Sequence, residues 1–149
     1  DIAYLEKLPM VIEEGDFTLV HGSPRDPIWE YLLTTSQAKD NFALFKTQFC
    51  LVGHSHVPLV FSRDDIGDFS GRRFLTDIEL VIGKERIIIN PGGVGQPRDG
   101  DPQASYAIYD SRSGLMKLYR IPYDIQATQK KMEKHGLPKS LVTRLSYGA

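Results

Sequence analysis

Short apolar runs broken by Gly, Pro and Asp set the pattern of this chain. Ile2, Leu5 and Leu8 fall on one helical stripe. Met10–Ile12, a Glu-Glu-Gly-Asp turn and Phe17–Val20 predict a hairpin whose second strand is apolar throughout and stops at His21. Ile28–Leu33 predicts a short helical turn. Ser36 stands as the cap of a stronger helix in which Ala38, Phe42, Phe45 and Phe49 recur near helical spacing, leading into the apolar run Phe49–Val52.

Beyond His56 the pattern changes. Leu59–Ser62, Arg73–Ile82 and Arg86–Ile89 carry β-branched and aromatic residues between Gly- and Asp-rich turns and predict strands. Asn90–Gln103 holds three prolines and four glycines, too many for a regular element, and predicts an ordered loop. Ser105–Tyr109 and Leu115–Arg120 predict a second hairpin. In the tail, Ile125, Thr128, Gln129 and Met132 share a helical face, Gly136 can end that helix, and Pro138 can open another from Lys139.

Composition narrows the class without naming a function. The 149 residues, 41% hydrophobic and 25% charged, are those of an ordinary soluble globular domain. A formal net charge of −1 gives no indication of nucleic-acid binding. No apolar stretch approaches the roughly 18 residues of a membrane span, and the start lacks signal-peptide organisation. The single cysteine, Cys50, sits in an apolar run and reads as a small buried hydrophobe, so the expected compartment is the reducing cytoplasm.

The chemistry concentrates where apolar strands stop. Leu51-Val52-Gly53-His54-Ser55-His56 ends a strand at a glycine and then presents two imidazoles one residue apart. Val20-His21-Gly22-Ser23-Pro24 repeats the arrangement. Strand carboxyl ends are where α/β proteins gather active sites. His21, His54 and His56 are therefore candidate ligands of a shared metal centre, and imidazoles suit Mn, Fe, Zn, Co or Ni better than Mg or Ca. Spacing alone leaves open whether the paired rings face one ion or two. Asp26, Asp99 and Asp101 read as turn formers in Pro- and Gly-rich settings. His135 closes a polar helix, where a cation suits the helix dipole. In the loop after Ile89, backbone amides around Asn90 and Gly92 could approach phosphate oxygens, and Arg98 could add a bidentate contact.

Three motifs in order, His21-Gly22-Ser23-Pro24, Gly53-His54-Ser55-His56 and Asn90-Pro91-Gly92-Gly93-Val94-Gly95, resemble the later motifs of calcineurin-like metallophosphoesterases of the compact bacterial and archaeal type. The resemblance implies an α/β fold, a two-sheet sandwich flanked by helices in four α/β/β/α layers, and hydrolysis of phosphate mono- or diesters. It implies two divalent ions, Mn foremost, with His21 and His54 on one and His56 on the other. The family's earlier motifs, which carry a bridging aspartate, an asparagine ligand and a catalytic histidine, have no counterpart here. Residues 1–149 are thus expected to be the C-terminal part of one such domain, inactive alone, partnered by a small phosphorylated substrate and by the N-terminal segment or a second copy. A competing reading is a scaffold of the same fold without catalysis, similar to the retromer sorting subunit.

Overall fold

The computed structural model describes residues 2–149. In chain order the elements are α1 (Ile2–Leu5), β1 (Val11–Glu14), β2 (Phe17–Val20), α2 (Thr35–Phe42), β3 (Phe49–Leu51), β4 (Leu59–Arg63), β5 (Phe69–Arg73), β6 (Glu79–Val81), β7 (Arg86–Asn90), β8 (Ala104–Asp110), β9 (Leu115–Ile121), α3 (Ile125–Lys134) and α4 (Lys139–Arg144). The chain is mixed α/β, with two sheets and flanking helices. It forms two compact units, one of residues up to Ser55 with 60–72 and 84–89, the other of 56–59, 73–83 and 90–149.

The first unit is built on a six-stranded sheet in the order β1-β2-β3-β7-β4-β5. β1 and β2 form the expected hairpin, with Val11 opposite Val20, whereas β2, β3 and β7 run parallel. Parallel strands are covered on both faces and must be apolar throughout. Accordingly Phe49, Cys50, Ile88 and Ile89 are all buried. Parallel pairing sends the carboxyl ends of β2 and β3 to the same edge, which is what positions their histidines.

Helix α2 begins earlier than its sequence suggests. Thr34 is the cap, with Gln37 completing a reciprocal capping box, while Ser36 lies inside the helix. The physical reason is the residue three positions on, since Gln37 can return a bond to the cap backbone and Lys39 cannot. The helix stops at Phe42, and Phe49 belongs to β3. Arg86 closes this end, donating from Nη1 to the Phe42 carbonyl at 2.8 Å and from Nη2 to the Phe45 carbonyl at 2.6 Å, with its guanidinium 4.4 Å from the Phe45 ring centroid. The α1 stripe of Ile2, Leu5 and Leu8 is exposed in this chain.

In the second unit β6, β9 and β8 make an antiparallel sheet, with Tyr106 stacked on its cross-strand partner Tyr119 at 5.3 Å and Met116 and Leu118 buried. The single strand expected over Arg73–Ile82 is broken. Arg73 ends β5, Phe74 donates its amide to the Pro58 carbonyl at 3.1 Å, and only Glu79–Val81 pairs with β9. Helices α3 and α4 follow as expected, joined by Gln129, whose Nε2 donates to the Val142 carbonyl and the Ser146 hydroxyl, both at 2.9 Å. His135 is the C-cap of α3 and exposed.

Candidate metal centre

The chain after β2 turns sharply on glycine. The Gly22 amide donates to the Pro27 carbonyl at 2.7 Å, and a Cβ at Gly22 would lie 2.6 Å from the Asp26 carbonyl oxygen, so no larger residue fits. Asp26 does act as a turn former, its Oδ1 accepting from the amides of Ile28 at 3.2 Å and Trp29 at 3.0 Å. After β3, the Gly53 amide donates to the His21 carbonyl at 2.8 Å and ties the two strand ends together.

That tie brings the first two candidate ligands into register. His21 Nε2 lies 2.9 Å from His54 Nδ1, with ring centroids 4.8 Å apart. His54 reaches this position in the left-handed backbone region, at φ 58°. For an L residue that conformation costs roughly 1 kcal/mol, and strain of this kind gathers at functional sites. Two imidazole nitrogens this close need a shared proton or a cation between them. Their separation also fits two nitrogens bound at right angles to one ion about 2.1 Å from each.

Two aromatic residues complete the surroundings of His54. Tyr31 is stacked on its ring, centroids 4.2 Å apart and planes 11° apart, and Trp29 stands edge-on at 6.3 Å. Between them Glu30, with a side chain only 9% exposed, accepts hydrogen bonds from Ser23, Arg25 and Asn41. Burial pushes the Glu30 carboxyl up, but those bonds together outweigh it and hold the group below the ordinary carboxylate range. The sequence reading placed Trp29 and Tyr31 in a helical turn and missed their place beside His54. The turn exists only at residues 27–29, and Tyr31 lies outside it, in no regular element.

The second unit holds the other candidates. His56 also has φ 58°, and its Nδ1 donates to the Gln96 carbonyl at 2.6 Å. A carbonyl only accepts, so in the neutral ring the lone pair sits on Nε2, the tautomer a metal ligand needs. Asn90 is buried, and its Oδ1 accepts the Gly92 amide at 2.9 Å, closing the loop on itself. Arg98 donates from Nη2 to Gln96 Oε1 at 3.4 Å, an atom that also accepts from Arg144 at 2.9 Å. Asp99 is more than a turn former, since it pairs with Arg120, while Asp101 accepts the Gln103 amide at 2.9 Å. Among the described residues, no three His, Cys, Asp or Glu side chains gather as a metal-binding group, and the nearest approach among the candidate ligands that the geometry gives is the imidazole pair.

Comparison with known proteins places these features. The family model of the calcineurin-like phosphoesterase superfamily domain matches residues 2–114. The chain belongs to the calcineurin-like phosphoesterase superfamily. Members generally use divalent metal ions. A metallophosphoesterase from Sphaerobacter thermophilus, solved by crystallography, is 46% identical with a TM-score of 0.93, over 99% of this chain and 61% of that one. An uncharacterized protein of Methanocaldococcus jannaschii is 36% identical over 99% of this chain and 60% of its own length. A hypothetical protein of Pyrococcus horikoshii, 20% identical with a TM-score of 0.74 over 99% of this chain and 54% of that one, shares the fold. This chain thus spans about three fifths of the length of the relatives named first. Among the described residues, no helix is long and apolar enough to cross a membrane.

Proposed function

We propose that this chain is the histidine-bearing part of a hydrolase acting on phosphate mono- or diesters with two divalent ions, Mn foremost. The observation supporting it most directly is the 2.9 Å approach of His21 Nε2 and His54 Nδ1 at the carboxyl ends of parallel strands. In this reading His21 and His54 hold one ion and His56 the second. Carboxylate ligands and the general-acid histidine come from the portion of the domain that this chain does not span, so the chain alone is inactive. When bound, the ions would supply an acidified water as nucleophile and offset charge growing on the phosphate oxygens.

The chain's own residues orient and hold. Tyr31 keeps the His54 ring from turning, and the Gln96 carbonyl fixes the His56 tautomer. Arg98 offers a charge-assisted contact to a nonbridging phosphate oxygen. The Asn90 side chain holds the loop turn closed through the Gly92 amide, and further backbone amides of that loop are candidates for a phosphate contact.

The test is made in the full-length protein. His54→Ala and His56→Ala should each lower metal-dependent hydrolysis of bis(p-nitrophenyl) phosphate by about a hundredfold or more, since metal positioning supplies several kcal/mol. Elemental analysis should find two ions in the parent and fewer in each variant. Undiminished turnover in both variants would end the hydrolase reading, and a metal-free, inactive parent would favour a scaffold.

A further inference from the structure

Trp29 is the only tryptophan of the chain, and its side chain is left 74% exposed beside the imidazole pair. Burying a side chain of this size would gain several kcal/mol, and within this chain that gain is forgone. Leu32, three residues on, is 1% exposed and supplies the packing of this segment. The backbone at Trp29 is pinned by its amide bond to Asp26 Oδ1, and the next residue, Glu30, is anchored by Ser23, Arg25 and Asn41. The ring is therefore presented at little entropic cost to whatever lies on it. Its centroid is 6.3 Å from that of His54, with the planes 79° apart, so the two rings are not stacked on one another.

We infer that Trp29 is a stacking platform for the planar base of the substrate, and that the site takes phosphate esters carrying a nucleobase. This rests on the phosphoesterase reading above. A phosphate seated at His21 and His54 leaves the ester substituent to extend past the imidazole edge. There a sugar can span to Trp29 and a base can lie on the indole. Base–aromatic stacking tolerates any base, because each has a π face, and is worth about 1–3 kcal/mol. Platform and phosphate site then divide recognition, the first reading the ring and the second the charge.

The experiment measures binding in the full-length, Mn-loaded protein by calorimetry, with adenosine 5′-monophosphate, ribose 5-phosphate and phenyl phosphate as probes. Trp29→Ala should weaken adenosine 5′-monophosphate by about tenfold more than it weakens ribose 5-phosphate, and Trp29→Phe should recover most of that difference. Emission assigned to Trp29, as parent minus Trp29→Phe, should be quenched saturably by adenosine 5′-monophosphate and not by ribose 5-phosphate. Equal penalties on the two sugars' esters, or no quenching because another part of the protein covers Trp29, overturns the inference. A gain for phenyl phosphate equal to that for the nucleotide overturns the assignment to nucleobases. Turnover of bis(p-nitrophenyl) phosphate is scored separately, so an inactive enzyme with intact stacking sinks only the hydrolase reading.

Discussion

Tyr31 lies flat against His54, ring on ring, 4.2 Å between centroids and 11° between planes. In the proposed role as a metal ligand the His54 ring is useful only in one orientation, and this contact restricts its rotation. Outer partners of metal-binding histidines are commonly worth 10- to 100-fold in affinity. Tyr31→Ala should therefore lower Mn affinity of the full-length protein by about tenfold, measured by calorimetric titration, while Tyr31→Phe stays near the parent. An unchanged affinity in Tyr31→Ala would show that the ring is held by other means.

Gly92 is the position of the loop that tolerates least. Its φ is +85°, and a Cβ there would meet Ser105 Oγ at 2.7 Å and Pro58 Cγ at 2.8 Å. Gly92→Ala combines backbone strain with overpacking, each worth about 1–3 kcal/mol. Urea denaturation should show a loss of about 2–4 kcal/mol at unchanged slope. Gly95→Ala, at a site with open space, should cost far less.

Glu30 makes stability depend on acid. Its carboxyl is held below the ordinary range, so the folded form keeps the charge that the unfolded chain would lose first. The stabilisation is complete above the unfolded value of about 4.3 and drains away as pH falls through the lower folded value. Glu30→Gln should cost about 1.5–3 kcal/mol at pH 7, as expected for hydrogen bonds to a charge, and should flatten the fall in melting temperature below about pH 4.3. Thermal melts from pH 7 to pH 3 check both, and parallel curves for the two proteins would contradict the assignment.

Asp99 and Arg120 form a largely buried ion pair, with side chains 9% and 12% exposed. Removing Asp99 leaves Arg120 with only the longer 3.7 Å approach to Asp101 and its bond to the Gln103 carbonyl. Asp99→Ala should destabilise by about 3 kcal/mol, and adding Arg120→Met should recover much of it. A double-mutant cycle by urea titration reads the coupling, and strictly additive losses would mean that the pair acts independently.

Much of the site was visible in the residues because its signals are local. An apolar run that stops at His and Gly announces a strand end, and both such ends, at His21 and His54, are legible in the sequence. The parallel pairing that joins them was implied only by their unbroken hydrophobicity. What escaped depends on distant partners or weak patterns. Tyr31 and Trp29 gain meaning from His54, far along the chain, and nothing near them signals it. Strand β5 has one large apolar residue, Phe69, in the run Phe-Ser-Gly-Arg-Arg, and is mostly exposed at the sheet edge, so periodicity could not find it. Asp99 looked like a loop residue because its arginine comes from another strand.

Cys50 shows how a local reading carries through to chemistry. Burial pushes its thiol up to about 12, only partly countered by Arg86, and the side chain is inaccessible. At pH 8 the native protein should resist a disulfide reagent for hours and release one equivalent of chromophore on addition of denaturant. Rapid labelling without denaturant would show that the first sheet opens readily.

His54 and His56 share a left-handed backbone at φ 58°, and this limits what evolution can do with them. The chain path there favours Gly, Asn or Asp and disfavours Ala and, most of all, Val, Ile or Thr. If the proposed metal role is right, a lineage released from it would drift to Gly, Asn or Asp at these positions, relieving conformational tension. Asparagine or glycine at these two places in a descendant would then be the fossil of a discarded centre, while alanine would signal that the turn itself had been rebuilt.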